Sequence, residues 1–155
     1  MRILLIGSGD FYHIGAFFRD ALTDLGHYFS FLDENSFLRP LRSSKMHKIA
    51  YRLLGRRPLT YWALNRQIIR LARMFRPEVI LVTKGAYISP NTLATVRQET
   101  NAFLVNYATD DPFNPANQTA DLVAGIPLYD LYACTKRAMM EDIRRAGCRE
   151  VAYVR

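Results

Sequence analysis

Two cysteines, Cys134 and Cys148, are too few for a disulfide framework in 155 residues. They read as reduced, structural side chains of a cytosolic protein. No apolar run approaches the roughly 20 residues of a membrane-spanning helix. The opening Met1-Arg2-Ile3-Leu4-Leu5-Ile6-Gly7 has one basic residue and four aliphatics before glycine. That is too short for a signal-peptide core and suits a buried strand. Three histidines, His13, His27 and His47, stand far apart and give no metal-ligand spacing. There is no Gly-x-Ser-x-Gly elbow, phosphate-loop signature or Cys-x-x-Cys pair. Zinc-finger spacing, RNP-like strings and helix-turn-helix patterns are also missing, so no nucleic-acid partner is expected.

Acidic residues are missing from one long segment. Residues 36–76 hold eleven lysines and arginines and no Asp or Glu. The first 35 residues carry two basic and five acidic side chains, and residues 77–155 carry eight and nine. The whole excess behind the net charge of +7 therefore lies in one stretch. Such a field attracts phosphates, anionic lipid or acidic polymers, and it equally describes a solvated helix face. A non-enzymatic module that binds an anionic membrane or polymer through residues 36–76 is the alternative to an enzyme.

What is present describes a folded domain. Half of the residues are hydrophobic and 23% are charged, which excludes a disordered chain. The length suits one domain, residues 1–155. Arg2–Ile6, Val79–Val82, Phe103–Asn106, Leu131–Cys134 and Val151–Val154 read as strands, with Tyr28–Leu32 as a further short one. Ile14–Leu25, two stripes in the basic segment (Met46 to Leu53 and Leu64 to Phe75), a helix opened by Ser89-Pro90, and Lys136–Ala146 read as helices. Gly55 to Pro58 separates the two basic helices, and Thr109 to Thr119 is a polar loop. This alternation predicts an α/β class, a doubly wound, mainly parallel Rossmann-like sheet with flanking helices. The chain stops after its last strand with no closing helix, an expectation that more once followed.

Ligands of open parallel sheets bind beyond the carboxyl ends of the strands, where four loops carry suggestive residues. Gly7-Ser8-Gly9-Asp10 follows the first strand, but Tyr12 occupies the third-glycine position of the dinucleotide fingerprint. Asp33, 24 residues after Gly9, lies near where a ribose-binding acid would sit. A tight turn without ligand is the other reading. His13 is a candidate base or a helix-entry residue bonded to backbone. Lys84, in Thr83-Lys84-Gly85, would pair a phosphate or carboxylate, or reach into solvent. Asp110 and Asp111 could act as base, sugar-hydroxyl acceptors or metal ligands, or form a turn before Pro112. Thr135 reads as an N-cap, with Lys136 and Arg137 opposing the helix dipole unless an anion binds.

Together these pieces resemble the N-terminal domain of GT-B glycosyltransferases, in particular the spore-maturation CgeB-like group. The likeness runs through nearly the whole chain. It is carried most by the string from Arg76 to Gly85 (Arg-Pro-Glu-Val-Ile-Leu-Val-Thr-Lys-Gly) and by Asn106-Tyr107-Ala108-Thr109-Asp110-Asp111-Pro112-Phe113. Ile3-Leu4-Leu5-Ile6-Gly7, Leu25-Gly26-His27, Tyr129-Asp130-Leu131 and Thr135-Lys136 add to it. The resemblance implies the acceptor-side half of a nucleotide-sugar-dependent enzyme whose C-terminal donor domain is absent, so this half alone is expected to be inactive. It implies a nucleotide-sugar as donor substrate and no tightly bound cofactor. Asp110, Asp111 and His13 would act on acceptor hydroxyls. Gly7, Ser8 and Gly9 would approach the donor phosphates, and Lys84, Gly85, Thr135 and Lys136 would line the binding cleft. It also suggests a cytoplasmic protein whose basic helices touch the membrane to reach lipid acceptors.

Overall fold

The computed structural model of the chain describes residues 1–38, 49 and 51–154. Six strands form one sheet: β1 (Arg2–Gly7), β2 (Tyr28–Asp33), β3 (Val79–Thr83), β4 (Phe103–Ala108), β5 (Leu131–Cys134) and β6 (Glu150–Tyr153). Every neighbouring pair is parallel, and the order is β2-β1-β3-β4-β5-β6. Among the described residues, the helices with both ends described are α1 (Ile14–Asp24), α2 (Asn35–Leu38), α3 (Tyr61–Phe75), α4 (Pro90–Thr100), α5 (Ala120–Gly125) and α6 (Met140–Arg145). The expected Rossmann-like α/β class is the observed one.

β1 explains the layering. Its aliphatic run is buried on both sides, and the residues alternate between two cores. Leu4 and Ile6 join the larger core with Leu64 and Ile68 of α3, Leu93 and Val96 of α4, and Ile143 of α6. Ile3 and Leu5 face the other way, under Phe18 and Leu22 of α1. On that second face, Val79, Leu81, Val105 and Leu131 are only half-buried, because α1 contacts β1 and β2.

Local signals set most element ends. Gly26 follows α1 with φ +66, the left-handed turn that stops the helix. The Ser89 side chain accepts from the Thr92 N–H at 3.0 Å, with Pro90 in the first turn, as the sequence predicts. Two elements were not anticipated. Asn35–Leu38 forms the single turn α2, and Thr119 caps α5 by accepting from Leu122 N–H at 3.1 Å.

One predicted helix start is corrected. Thr135 is not an N-cap: its hydroxyl donates to the Thr109 carbonyl at 3.5 Å. A 3₁₀ turn, Arg137–Met139, comes first, and α6 begins at Met140. α6 then has Glu141 and Asp142 in its first turn and Arg144 and Arg145 in its last, which suits its dipole. Arg137 stacks over the Tyr153 ring at 4.4 Å. Of the two predicted basic helices, the second is α3; the first falls largely outside the described residues, where Ile49 and residues 51–53 are helical. Cys134 and Cys148 are free and buried, and burial pushes both thiols up.

Candidate functional site

The chain order reverses between β1 and β3, where the loops leaving the two strands diverge and open a crevice. A cleft of about 530 Å³ lies there, within the size range of small-molecule sites. Ser8, His13, Glu34, Thr83, Lys84 and Asp110 are among its lining residues. The N-terminal end of α1, His13 to Gly15, also lines it and brings the positive end of a helix dipole.

The first loop is held by the end of β2. Gly9 N–H donates to Asp33 Oδ1 at 2.9 Å, and Asn35 N–H donates to the same oxygen at 2.9 Å. The Asn35 side-chain amide donates to Ser8 Oγ at 2.6 Å and Asp10 Oδ2 at 2.7 Å. Asp33 therefore fixes the loop. The glycines answer to packing. A Cβ on Gly7 would run into the Thr83 hydroxyl, and one on Gly9 would lie 2.8 Å from Asp33 Oδ2. Gly15 would meet the Ser8 carbonyl at 2.6 Å, so it does the helix-packing service of a third glycine despite its unusual spacing. Gly7 and Gly9 are not among the residues lining the cleft, whereas Ser8 is.

Lys84 occupies a left-handed backbone conformation, φ 72, directly before Gly85 at φ 75. For a lysine this is uncommon and costs roughly 1 kcal/mol. β4 holds it there: Lys84 N–H donates to the Tyr107 carbonyl at 3.1 Å, and its own carbonyl accepts from the Asn106 amide at 3.2 Å. The ammonium reaches Asp110 Oδ2 at 3.2 Å. Gly85 supports this turn from behind, packed so closely that a Cβ would meet Val82 Cγ1 at 2.9 Å and Tyr129 OH at 3.0 Å.

The two adjacent aspartates part company. Asp110 lines the cleft. Asp111 accepts from Phe113 N–H at 2.9 Å in the turn and is not among the cleft residues. His13 sits on the cleft rim, exposed, with its ring 4.5 Å from that of Tyr12. Thr135 and Lys136 lie at the end of β5, outside the cleft lining.

Glu34 is the residue that sequence reasoning passed over. It follows β2 and its N–H donates to the Gly7 carbonyl at 3.0 Å, which turns its side chain into the cleft. Burial raises its carboxyl from the ordinary 4.5 to about 7, opposed by the nearby Lys84 ammonium and helped slightly by Asp33. Its place in the acidic pair Asp33-Glu34 was visible, but its surroundings come from three separate loops. Arg52 and Arg56 close another side of the cleft, and Arg56 donates to the Pro115 and Gln118 carbonyls at 2.6 and 2.9 Å. Among the described residues, no group of three His, Cys, Asp or Glu side chains is placed to hold a metal ion.

Fold and cleft together define a Rossmann-like α/β domain with a ligand-sized crevice at the switch point of its sheet. No protein-family model matches the chain, and no curated protein matches it either.

Proposed function

We propose that the chain is the acceptor-side domain of a nucleotide-sugar-dependent glycosyltransferase of the GT-B, CgeB-like type, with the cleft receiving the hydroxyl that is to be glycosylated. The observation that carries this reading is the Lys84–Asp110 pair facing Glu34 across one ligand-sized cleft. A carboxyl that titrates near neutrality suits proton removal from an alcohol. In this reading Glu34 takes the proton as the acceptor oxygen attacks the anomeric carbon and the nucleoside diphosphate leaves. Asp110 accepts a hydrogen bond from a neighbouring acceptor hydroxyl, held in place by Lys84. The α1 N-terminus and Lys84 supply positive potential for the leaving phosphates. His13 stands on the rim as a second proton acceptor. Asp111, Thr135 and Lys136 serve the loops in this scheme rather than the ligand.

The test is a ¹⁵N-resolved NMR titration with mono- and oligosaccharides and with nucleoside diphosphates. Saturable shifts centred on Glu34, Lys84 and Asp110 are expected, weakened at least tenfold in Asp110→Asn. In the complete enzyme, Glu34→Gln and Asp110→Asn should each lower turnover at least tenfold. Absence of saturable sugar binding at the cleft, with turnover unchanged in both variants, overturns the reading.

A further inference from the structure

α3 sorts its residues cleanly between two faces. Tyr61, Leu64, Ile68 and Ala72 are buried in the core. Trp62, Arg66 and Arg70, spaced four apart, share the exposed face. Trp62 is 71% exposed and Leu53 is 80% exposed, far beyond what a core-facing side chain tolerates. Leu54 and Leu59 are exposed too.

These side chains are contiguous rather than scattered. Leu53, Leu54, Pro58, Leu59 and Trp62 line a shallow groove of about 360 Å³. Trp62 is also the near wall of a second groove, of about 820 Å³, whose other walls include Phe37, Arg66 and Arg70. One tryptophan thus divides an apolar groove from an arginine-lined one. Arg73 is occupied by Glu99, at 2.7 and 2.6 Å. Arg66 and Arg70 have no ion-pair partner among the described residues.

We propose that the surface built from Leu53, Leu54, Leu59, Trp62, Arg66 and Arg70 docks on an anionic phospholipid bilayer, its leucines entering the acyl boundary and its arginines holding headgroup phosphates. An exposed apolar patch rimmed by charge marks an interaction site. Its chemistry selects the bilayer. Trp is amphipathic and settles at the headgroup level, and arginine pairs phosphate in a planar fork. A phosphate backbone of nucleic acid has no use for three exposed leucines. A second copy of this chain would set arginine against arginine, since residues 36–76 contain no carboxylate. Among the described residues no helix is long and apolar enough to cross a membrane, so the contact is peripheral. The surface does not rest on the activity proposed for the cleft, because vesicle binding requires neither donor nor acceptor.

The chain has a single tryptophan, so its fluorescence reports Trp62 alone. Co-sedimentation and emission spectra are taken with vesicles of about two parts phosphatidylcholine to one part phosphatidylserine, and with phosphatidylcholine alone. The expected result is binding at least tenfold tighter to the anionic vesicles, with a blue shift of the emission. Arg66→Gln with Arg70→Gln should weaken binding roughly tenfold or more, and high salt should do the same. Leu53→Ser with Leu54→Ser should weaken it by a similar factor and reduce the blue shift, with unchanged melting temperature. Equal binding to both vesicles, or no binding at low salt, overturns the proposal. Salt-sensitive binding with unshifted Trp62 emission also overturns it and makes the surface a site for soluble polyanions. Concentration-dependent dimerisation that buries Trp62 without lipid overturns it in favour of a second copy.

Discussion

The Gly9 backbone N–H and the Asp33 carboxylate, 2.9 Å apart, join the loop after β1 to the end of β2. The same oxygen accepts from Asn35 N–H, so one carboxylate orders both loops on this side of the cleft. Removing it strands two amide donors in a half-buried place. Asp33→Ala should cost about 1–3 kcal/mol, read as a lower urea midpoint. Gly9→Ala should cost a similar amount, since its Cβ would sit 2.8 Å from Asp33 Oδ2. If both variants keep the wild-type midpoint, the loop does not depend on this contact.

Glu34 makes stability depend on pH in an unusual direction. Its folded value is raised to about 7 from 4.5, so the folded state holds a proton that the unfolded chain has released across that window. The stabilisation is complete below pH 4.5 and is lost as pH rises toward 7. Its size is on the order of 3 kcal/mol. Lys84 and Asp33 face the carboxyl and act in opposite senses. Glu34→Gln should remove this component, so the variant gains on the wild type between pH 5 and pH 8, as urea melts at roughly those two values would register. Parallel profiles for the two proteins would mean that Glu34 titrates as an ordinary carboxylate.

Periodicity alone made the parallel sheet readable, because β1 and β3 are aliphatic runs that only a sheet covered on both faces can bury. Ser89-Pro90 announced α4 by local capping chemistry. The site was legible only as positions. Lys84 and Asp110 were each readable as residues at strand ends, but their pairing rests on β3 and β4 being neighbours, which no local signal announced. Asp33 and Glu34 could not be told apart by sequence. Their opposite roles, one tied to backbone amides and the other turned into the cleft, depend on how the β2 loop packs against Gly7 and Gly9. Thr135 looked like a cap because its type fits, and the 3₁₀ turn that displaces the helix start to Met140 has no comparable local signature. Asp111 shows the converse: the turn preference of Asp before Pro112 decided its place.

Arg57 and Asp121 form a two-pronged pair at 2.9 and 2.8 Å that ties the loop before α3 to the first turn of α5. The partners are unequal, with Asp121 8% exposed and Arg57 43% exposed. Arg57→Ala leaves a buried carboxylate without its cation and should cost about 2–4 kcal/mol. Asp121→Ala leaves an arginine that can turn to solvent and should cost about 1–2 kcal/mol. Arg57→Lys should rescue only part of the loss, because lysine cannot make the planar fork. A double-mutant cycle measures the coupling, and equal costs for the two single variants would contradict the asymmetry of burial.

Tyr132 is fully buried in β5, and its hydroxyl has no hydrogen-bond partner among the described residues. Burial, with Tyr129 and both cysteines nearby, pushes that hydroxyl well above its ordinary value, so it stays neutral throughout the working range. A neutral donor without an acceptor costs its desolvation and returns nothing. Tyr132→Phe removes the polar atom and keeps the ring that meets Tyr129 edge-on at 5.9 Å. The variant should be as stable as wild type or better by up to about 1 kcal/mol in urea melts. A loss of that size instead would mean that the hydroxyl is bonded in solution, most simply to a water held between β5 and its cover.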